Sequence, residues 1–357
     1  MDKIIKILYV DPLSPVGHIN FNNIYISALS SINNIHMDFV FQEGYMEKLN
    51  IFNEHKGKSF SFCTKRRNYK GLLNKIAWRV DQMNILHYCN KLLRRSKYDY
   101  VFFSSFDEIS LLLSGFWGKK VIAVCHANAE HIPNSRISLI SHKFISQKST
   151  LITLNKALSD FMLAKGIKNT FVPHGLPKVV CEHKNSKRLV FVPVQFDLCD
   201  KGIMIDLISE KVSKVLQKHN VKLVLKENSD LPHNFENIIY TDKILSKQDY
   251  TQLYRDAGLI LLPYNKSSYV FRTSAMLMEA IAYNKNVAVP KVKSFMSLKK
   301  DEDKGMYIYD NVEDIIAIID TFFSSNTIPI PNYDKLKEEN GNEVITITIN
   351  KIINEKS

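Results

Sequence analysis

Short apolar runs alternate with helix-period stretches along most of the chain, and no other feature limits its folding options so strongly. In the first half these runs are 4–10, 37–41, 100–104, 120–125, 151–154 and 170–173. In the second they are 189–192, 222–225, 237–240, 258–262, 286–289 and 306–309. Buried strands of this length separated by helices form mostly parallel sheets, because a parallel pair needs a crossover that a helix supplies. A chain of 357 residues also exceeds one comfortable core. The expectation is therefore an α/β fold with two doubly wound, Rossmann-like domains, 1–174 and 188–326, followed by a tail, 327–357. Apolar positions between 344 and 353 predict a closing helix in that tail. The stretch 173–187 carries Pro173, Gly175 and Pro177 among polar residues without a period, and reads as the linker. A ligand cleft is expected beside it, at the carboxyl ends of the strands.

Lysine and arginine number 48 against 36 aspartates and glutamates, a formal charge of +12, so the surface favours an anionic partner: a nucleotide, a phospholipid or a nucleic acid. Nucleic acid is the weakest of these, since no basic stripe interleaved with aromatics lies on an expected sheet. The 5 cysteines are scattered without a CxxC pair, which argues against a disulfide framework and a structural zinc site. His126, Glu130 and His131 do not make an HExxH spacing, and no metal is inferred. The opening residues Met1-Asp-Lys-Ile-Ile-Lys6 are too interrupted by charge for a secretory leader. No run approaches the roughly 18 apolar residues of a membrane span. A cytoplasmic protein is expected, with peripheral attachment to the inner face of the plasma membrane as the form its basic charge admits. With 12 glycines there is no GxGxxG, and Gly57-Lys-Ser59 ends like a phosphate loop but has Phe52 at the place of the first glycine. Dinucleotide and P-loop readings fall. Lys65, Arg66 and Arg67 precede a helix-period stretch, Leu73, Ile76, Ala77, Val80 and Met83, which fits a core-covering helix better than one lying on an anionic bilayer.

The most specific segment runs from Gly258 to Pro290 and reads as strand, loop, helix, strand. Thr273 and Ser274 are N-cap candidates, so the free N–H groups of the following turn would face an anion, and Arg272 adds a full positive charge. Glu279 falls on the second turn among Ala and Met neighbours, where a carboxylate is costly unless something binds it. Lys201, at the start of Lys201-Gly-Ile203, and Lys226, at a strand's carboxyl end, are further cations for a phosphate. In the first half, Gly17 permits close backbone approach after the first strand. His18 fits a substrate contact and a turn residue about equally, and His126 fits a hydroxyl contact beside a strand end and a satisfied core histidine.

Glu279-Ala280, Pro173-His-Gly175, Lys201-Gly202 and the Tyr98-Asp99 strand entry occur in an order that resembles the GT-B glycosyltransferases, specifically the retaining family 4 type. That resemblance implies a nucleotide-sugar donor whose ribose is held by Glu279 and whose diphosphate is neutralised by Lys201. It also implies transfer to a glycan acceptor beside Gly17, His18 and His126, with retention at the anomeric carbon; the basic surface suggests a lipid-diphosphate-linked glycan as that acceptor, and the scheme needs no metal and no cofactor. Bacterial surface polysaccharide assembly is the expected setting. The family's first glutamate, eight positions before Glu279, is replaced by Phe271, and its usual arginine before Lys201 is missing. Arg272 is the expected substitute for the arginine, and an apolar Phe271 facing the sugar would favour a deoxy donor. An epimerase or a phosphorylase on the same plan, and a basic nucleic-acid-binding protein, are the alternatives.

Overall fold

The computed structural model describes residues 3–13, 18–50, 57–63, 71–115, 120–179, 186–228, 231–232 and 234–355. They form two compact units, Met1–Gly175 with Asn340–Ser357, and Leu176–Glu339. The boundaries differ from those expected: residues 327–339 continue the second unit, where Tyr333 and Leu336 join its core, and the chain end belongs to the first.

In the first unit the chain runs β1 (Ile5–Val10), α1 (Ile19–Ser30), β2 (Ile35–Gln42), β3 (Ser59–Phe62), α2 (Gly71–Arg95), β4 (Tyr100–Phe103), α3 (Glu108–Leu113), β5 (Val121–Cys125), α4 (Arg136–Lys148), β6 (Thr150–Thr153), α5 (Lys156–Ala164) and β7 (Thr170–Phe171). The strands pair in parallel in the order β3-β2-β1-β4-β5-β6-β7. Aromatic side chains fill the layer behind them: Tyr9 stacks on Phe102 at 5.2 Å between centroids and meets Phe39 and Phe41 at 6.1 and 6.0 Å. Each such ring, wholly buried, contributes roughly 1.5–3 kcal/mol. Strand order reverses between β1 and β4, so the crevice of this sheet opens beyond Val10 and Phe103.

The second unit comprises β8 (Leu189–Phe191), α6 (Lys201–Asp206), α7 (Glu210–Lys218), β9 (Lys222–Lys226), β10 (Ile238–Thr241), α8 (Lys247–Asp256), β11 (Leu259–Leu261), α9 (Ala275–Ala282), β12 (Asn286–Pro290), α10 (Lys293–Met296), β13 (Met306–Tyr309), α11 (Val312–Phe322) and α12 (Asp334–Glu339). Its strands are again all parallel, ordered β10-β9-β8-β11-β12-β13, with the reversal between β8 and β11. Helix starts here are set by side-chain caps: Ser209, Ser246 and Ser274 each accept the N–H three residues on, and Asn311 with Asp314 makes a reciprocal capping box.

The closing helix α13 (Asn342–Asn354) packs on α1 and buries Ile345, Ile349, Ile352 and Ile353 in the first unit's core. Tyr100 Oη donates to the Ile353 carbonyl at 2.8 Å, fixing its end. Gly175, where the first unit ends, has φ +87, and a Cβ there would stand 2.5 Å from Ile24 and 2.8 Å from Ile345, so both backbone and packing require glycine.

Two sequence expectations are corrected. The strand β3 pairs with the edge of the first sheet in a stretch from which no strand was expected. In α2, Ala77 is buried but Leu73, Ile76 and Val80 are exposed, so the core-covering stripe lies further on, at Ile85, Leu86, Cys89 and Leu92. Lys65, Arg66 and Arg67 lie outside the described residues. No helix among the described residues is long and apolar enough to cross a membrane.

Candidate functional site

In the second unit Glu279, Tyr250 and Lys226 form a cluster of titratable groups. Glu279 sits on the half-buried side of α9 between the buried Met278 and Ala280. Tyr250, from α8, donates its hydroxyl to Glu279 Oε2 at 2.9 Å, and Lys226, the last residue of β9, holds its ammonium 5.7 Å from the Tyr250 ring centre. Burial raises the Glu279 pKa, and the Tyr250 hydroxyl and the Lys226 charge offset that only in part. Burial likewise lowers the Lys226 pKa against the pull of Cys199 and Glu279. A carboxylate and an ammonium are thus both kept short of water with their charges incompletely compensated, an arrangement that recurs at binding sites.

A second cluster ties two helix starts to one residue, Tyr264. Its backbone bridges Cys199, just before α6, and Asp200 N–H donates to the Pro263 carbonyl at 2.8 Å. Its hydroxyl lies 2.7 Å from Ser274 Oγ, the cap of α9, which accepts Leu277 N–H at 3.0 Å. Tyr264 stacks on Tyr269 at 3.8 Å, and the Arg272 guanidinium lies over the Tyr269 ring at 5.2 Å. Ser274 is buried and its hydroxyl is committed to the cap, whereas Thr273 beside it is half-buried. Lys201, the first residue of α6, is exposed. Phe271 differs from expectation. It is 4 % exposed, with the Lys293 ammonium 5.8 Å from its ring centre, so its ring packs within the protein and offers no open face to a sugar. The deoxy-donor expectation loses its basis.

In the first unit the sheet's crevice is occupied by Asp11, which the sequence reading missed. Wholly buried one residue beyond β1, Asp11 accepts Ser105 Oγ from beyond β4 at 2.7 Å, Asn22 Nδ2 from α1 at 2.7 Å and Leu13 N–H at 3.0 Å. Asn22 is oriented in turn by Tyr9, which donates to Oδ1 at 2.7 Å, and by Tyr45, which accepts from Nδ2 at 2.9 Å. Burial would raise the Asp11 pKa, but His18, Asn22 and Ser105 outweigh it and hold the carboxyl below its usual range. The available signal was position alone: an aspartate closing the first strand of a doubly wound sheet.

His18 Nδ1 lies 3.4 Å from Asp11 Oδ2. The residue has φ 64, a left-handed conformation that costs a non-glycine about 1–3 kcal/mol. Its ring stacks on His126 at 4.5 Å, and the edge of Phe21 meets His126 at 4.3 Å. A third imidazole, His174, is buried beside Phe21, and burial lowers its pKa to about 4. His126 N–H donates to Asn128 Oδ1 at 2.9 Å, which leaves Asn128 Nδ2 to donate to His142 Nε2 at 3.3 Å. The His142 Nδ1–H then donates to the Ser138 carbonyl at 2.8 Å, so the ring is a neutral Nδ1–H tautomer. Structure therefore brings His18 and His126 together, while Gly17 lies outside the described residues. Among the described residues no group of three or more His, Cys, Asp or Glu side chains is arranged to hold a metal ion.

No family model matches the chain. Over 126 residues it is 25% identical to a protein of Methanocaldococcus jannaschii named an uncharacterized glycosyltransferase, a match covering 33% of this chain and 31% of that one. The likeness thus spans about a third of that relative's length. Among solved structures, Anabaena HepE in complex with UDP and glucose matches with a TM-score of 0.66 at 11% identity, over 98% of this chain and 100% of that chain. Sucrose-phosphate synthase from Thermosynechococcus elongatus gives 0.64 at 12% identity, over 98% of each chain. The UDP-GlcNAc 2-epimerase of Neisseria meningitidis bound to UDP-GlcNAc gives 0.59 at 12% identity, over 98% of this chain and 100% of that chain. At such identities the likeness is one of fold, and the fold of this chain is the pair of Rossmann-like domains found in GT-B glycosyltransferases.

Proposed function

We propose that the chain transfers a sugar from a nucleotide-sugar donor to a hydroxyl of a glycan or lipid-diphosphate-linked glycan, with bacterial surface polysaccharide assembly as the setting. The observation that carries this reading is the half-buried Glu279, whose charge Tyr250 and Lys226 compensate only in part. A ribose diol is the ligand such a carboxylate suits, since one carboxylate accepts two hydroxyl hydrogen bonds. Lys226, Arg272 and the exposed Lys201 are the cations assigned to a diphosphate in this reading, with the start of α9 beside them. At an effective dielectric of about 20, each unit charge at ~4 Å from a developing phosphate charge is worth roughly 4 kcal/mol, so stabilising the leaving diphosphate is the main catalytic term.

In the reaction the anomeric carbon–phosphate oxygen bond breaks, the acceptor oxygen bonds to that carbon, and the acceptor's proton is released. The first unit supplies the acceptor-side groups, His18 and His126 with Asp11 behind them. Retention is the outcome that the family 4 resemblance implies, the scheme needs no metal, and a cytoplasmic site of action is proposed with it. The structural likeness to HepE crystallised with UDP supports a uridine donor.

Thermal-shift and calorimetric titration with UDP, GDP, dTDP and CMP tests the reading. One nucleoside diphosphate should stabilise the protein by about 2.7 kcal/mol at roughly 100 times its Kd, and Glu279→Ala should weaken it about 10- to 100-fold. Equal affinity in the variant removes the ribose assignment. The epimerase-like fold supports a second reading, epimerisation of the nucleotide sugar itself. Conversion of donor without any acceptor would select it.

A further inference from the structure

Helix α4 is turned inside out. The face it presents to the first unit carries Ser138, Ser141, His142 and Ser146 beside Ile145, all buried, while Ile137 and Ile140 are each 65 % exposed and Phe144 is 40 % exposed. The inward polar groups are satisfied: Ser138 Oγ donates to the buried Glu108 at 2.9 Å, Ser146 Oγ to the Lys143 carbonyl at 2.8 Å, and His142 holds the Ser138 carbonyl. Inward polarity is therefore built, and so is the outward apolar stripe. Residues 137, 140 and 144 recur at helical spacing along one line. An apolar line on water disfavours the isolated protein, and such patches mark surfaces that meet something else.

Charge selects the partner. Arg136, Lys143 and Lys148 are exposed along the same outward side, and the helix sequence contains no acidic residue. In a chain with a net charge of +12 this local excess has the general sign as well. The helical layer continues the theme. Leu113, at the end of the neighbouring α3, is 70 % exposed, and α2, packed beside α3, exposes Leu73, Ile76, Trp78 and Val80 with Arg79. An apolar strip flanked by cations lying on a helix in the surface plane has the chemistry of an interfacial anchor: side chains enter the acyl boundary while lysine and arginine reach the headgroups.

We propose that the outward face of α4, extended by α3 and the start of α2, docks the first unit on an anionic lipid bilayer. The surface belongs to the first unit and the residues proposed to hold the nucleotide belong to the second, so it stands whether or not the glycosyltransferase reading does.

Co-sedimentation with phosphatidylcholine vesicles, with and without phosphatidylglycerol, tests it on the full chain. Binding should appear with the anionic lipid only, and high salt should weaken it about 10-fold. Replacing Ile137, Ile140 and Phe144 together by Gln should reduce binding at least 10-fold without lowering the melting temperature. Arg136→Gln with Lys143→Gln and Lys148→Gln should do the same while keeping the apolar stripe, so one variant remains informative if the other misfolds. The proposal is overturned if the wild type ignores anionic vesicles, if it binds neutral ones equally well, or if both variants bind as the wild type does. It is also overturned if the apolar variant turns a dimer into a monomer with vesicle affinity unchanged, since a second copy would then be what covers the stripe.

Discussion

Asp11 in the first unit and Glu279 in the second are both carboxylates withdrawn from water, yet their surroundings act in opposite directions. Asp11 receives donors from its own loop, from α1 and from beyond β4, and its pKa is lowered despite complete burial. Glu279 receives the Tyr250 hydroxyl and a more distant lysine, and its pKa is raised. Desolvation is the largest influence on both, so the difference lies in the number and placement of donors. A carboxylate with its donors in place is part of the framework. One still short of donors is the kind of group that a ligand bringing them would complete.

Neutralising each group by its isosteric amide puts the contrast to a direct test. Asp11→Asn turns an acceptor into a donor opposite Asn22 or Ser105, and should cost about 2–4 kcal/mol of unfolding free energy in denaturant titrations. A cost below ~1 kcal/mol would mean that the network does not depend on the charge. A comparable effect is expected from acid at His174, which is buried neutral with a pKa lowered from 6.5 to about 4. Because protons bind more tightly to the unfolded chain, its stabilising contribution is complete above about pH 6.5 and is lost progressively as pH falls toward 4. The full span is roughly 3 kcal/mol at 1.36 kcal/mol per unit. His174→Gln should flatten the stability profile across that window, and an unchanged slope would exclude the imidazole as its source.

Glu279→Gln should give the smallest and oppositely signed response. Its raised pKa means that the folded protein favours the protonated form, so stability on this account is greatest at low pH and declines as the carboxyl ionises. The amide should therefore raise the melting temperature of the ligand-free protein at neutral pH by roughly 2 °C, while weakening nucleotide binding. If Asp11→Asn and Glu279→Gln shift stability in the same direction, the distinction between framework and ready carboxylate fails.

The strands of both sheets are legible in the sequence because each is a dense apolar run bounded by turns, and α9 with its Ser274 cap follows from the same local chemistry. β3 is not, since Ser-Phe-Ser-Phe at a sheet edge is short and only half-buried. Lys226 and Glu279 stand out as charges on apolar elements, but their partner Tyr250 comes from α8 and has no local signature. Phe271 shows where pattern misleads. A phenylalanine in a motif position reads as a sugar contact until its burial is seen. The Asp11 network joins four separate elements, and no spacing in the chain encodes it.

The return of α13 to the first unit has a consequence for biosynthesis. The second unit is one unbroken stretch, Leu176–Glu339, and has all its residues before the last are translated. The first begins earlier but lacks Ile345, Ile349, Ile352 and Ile353 until the whole of the second unit has been made. Domains usually mature in order of synthesis. Of the two units, the one that starts first is here completed second, with α1 and the Tyr100 hydroxyl waiting for a helix that is made only after its neighbour.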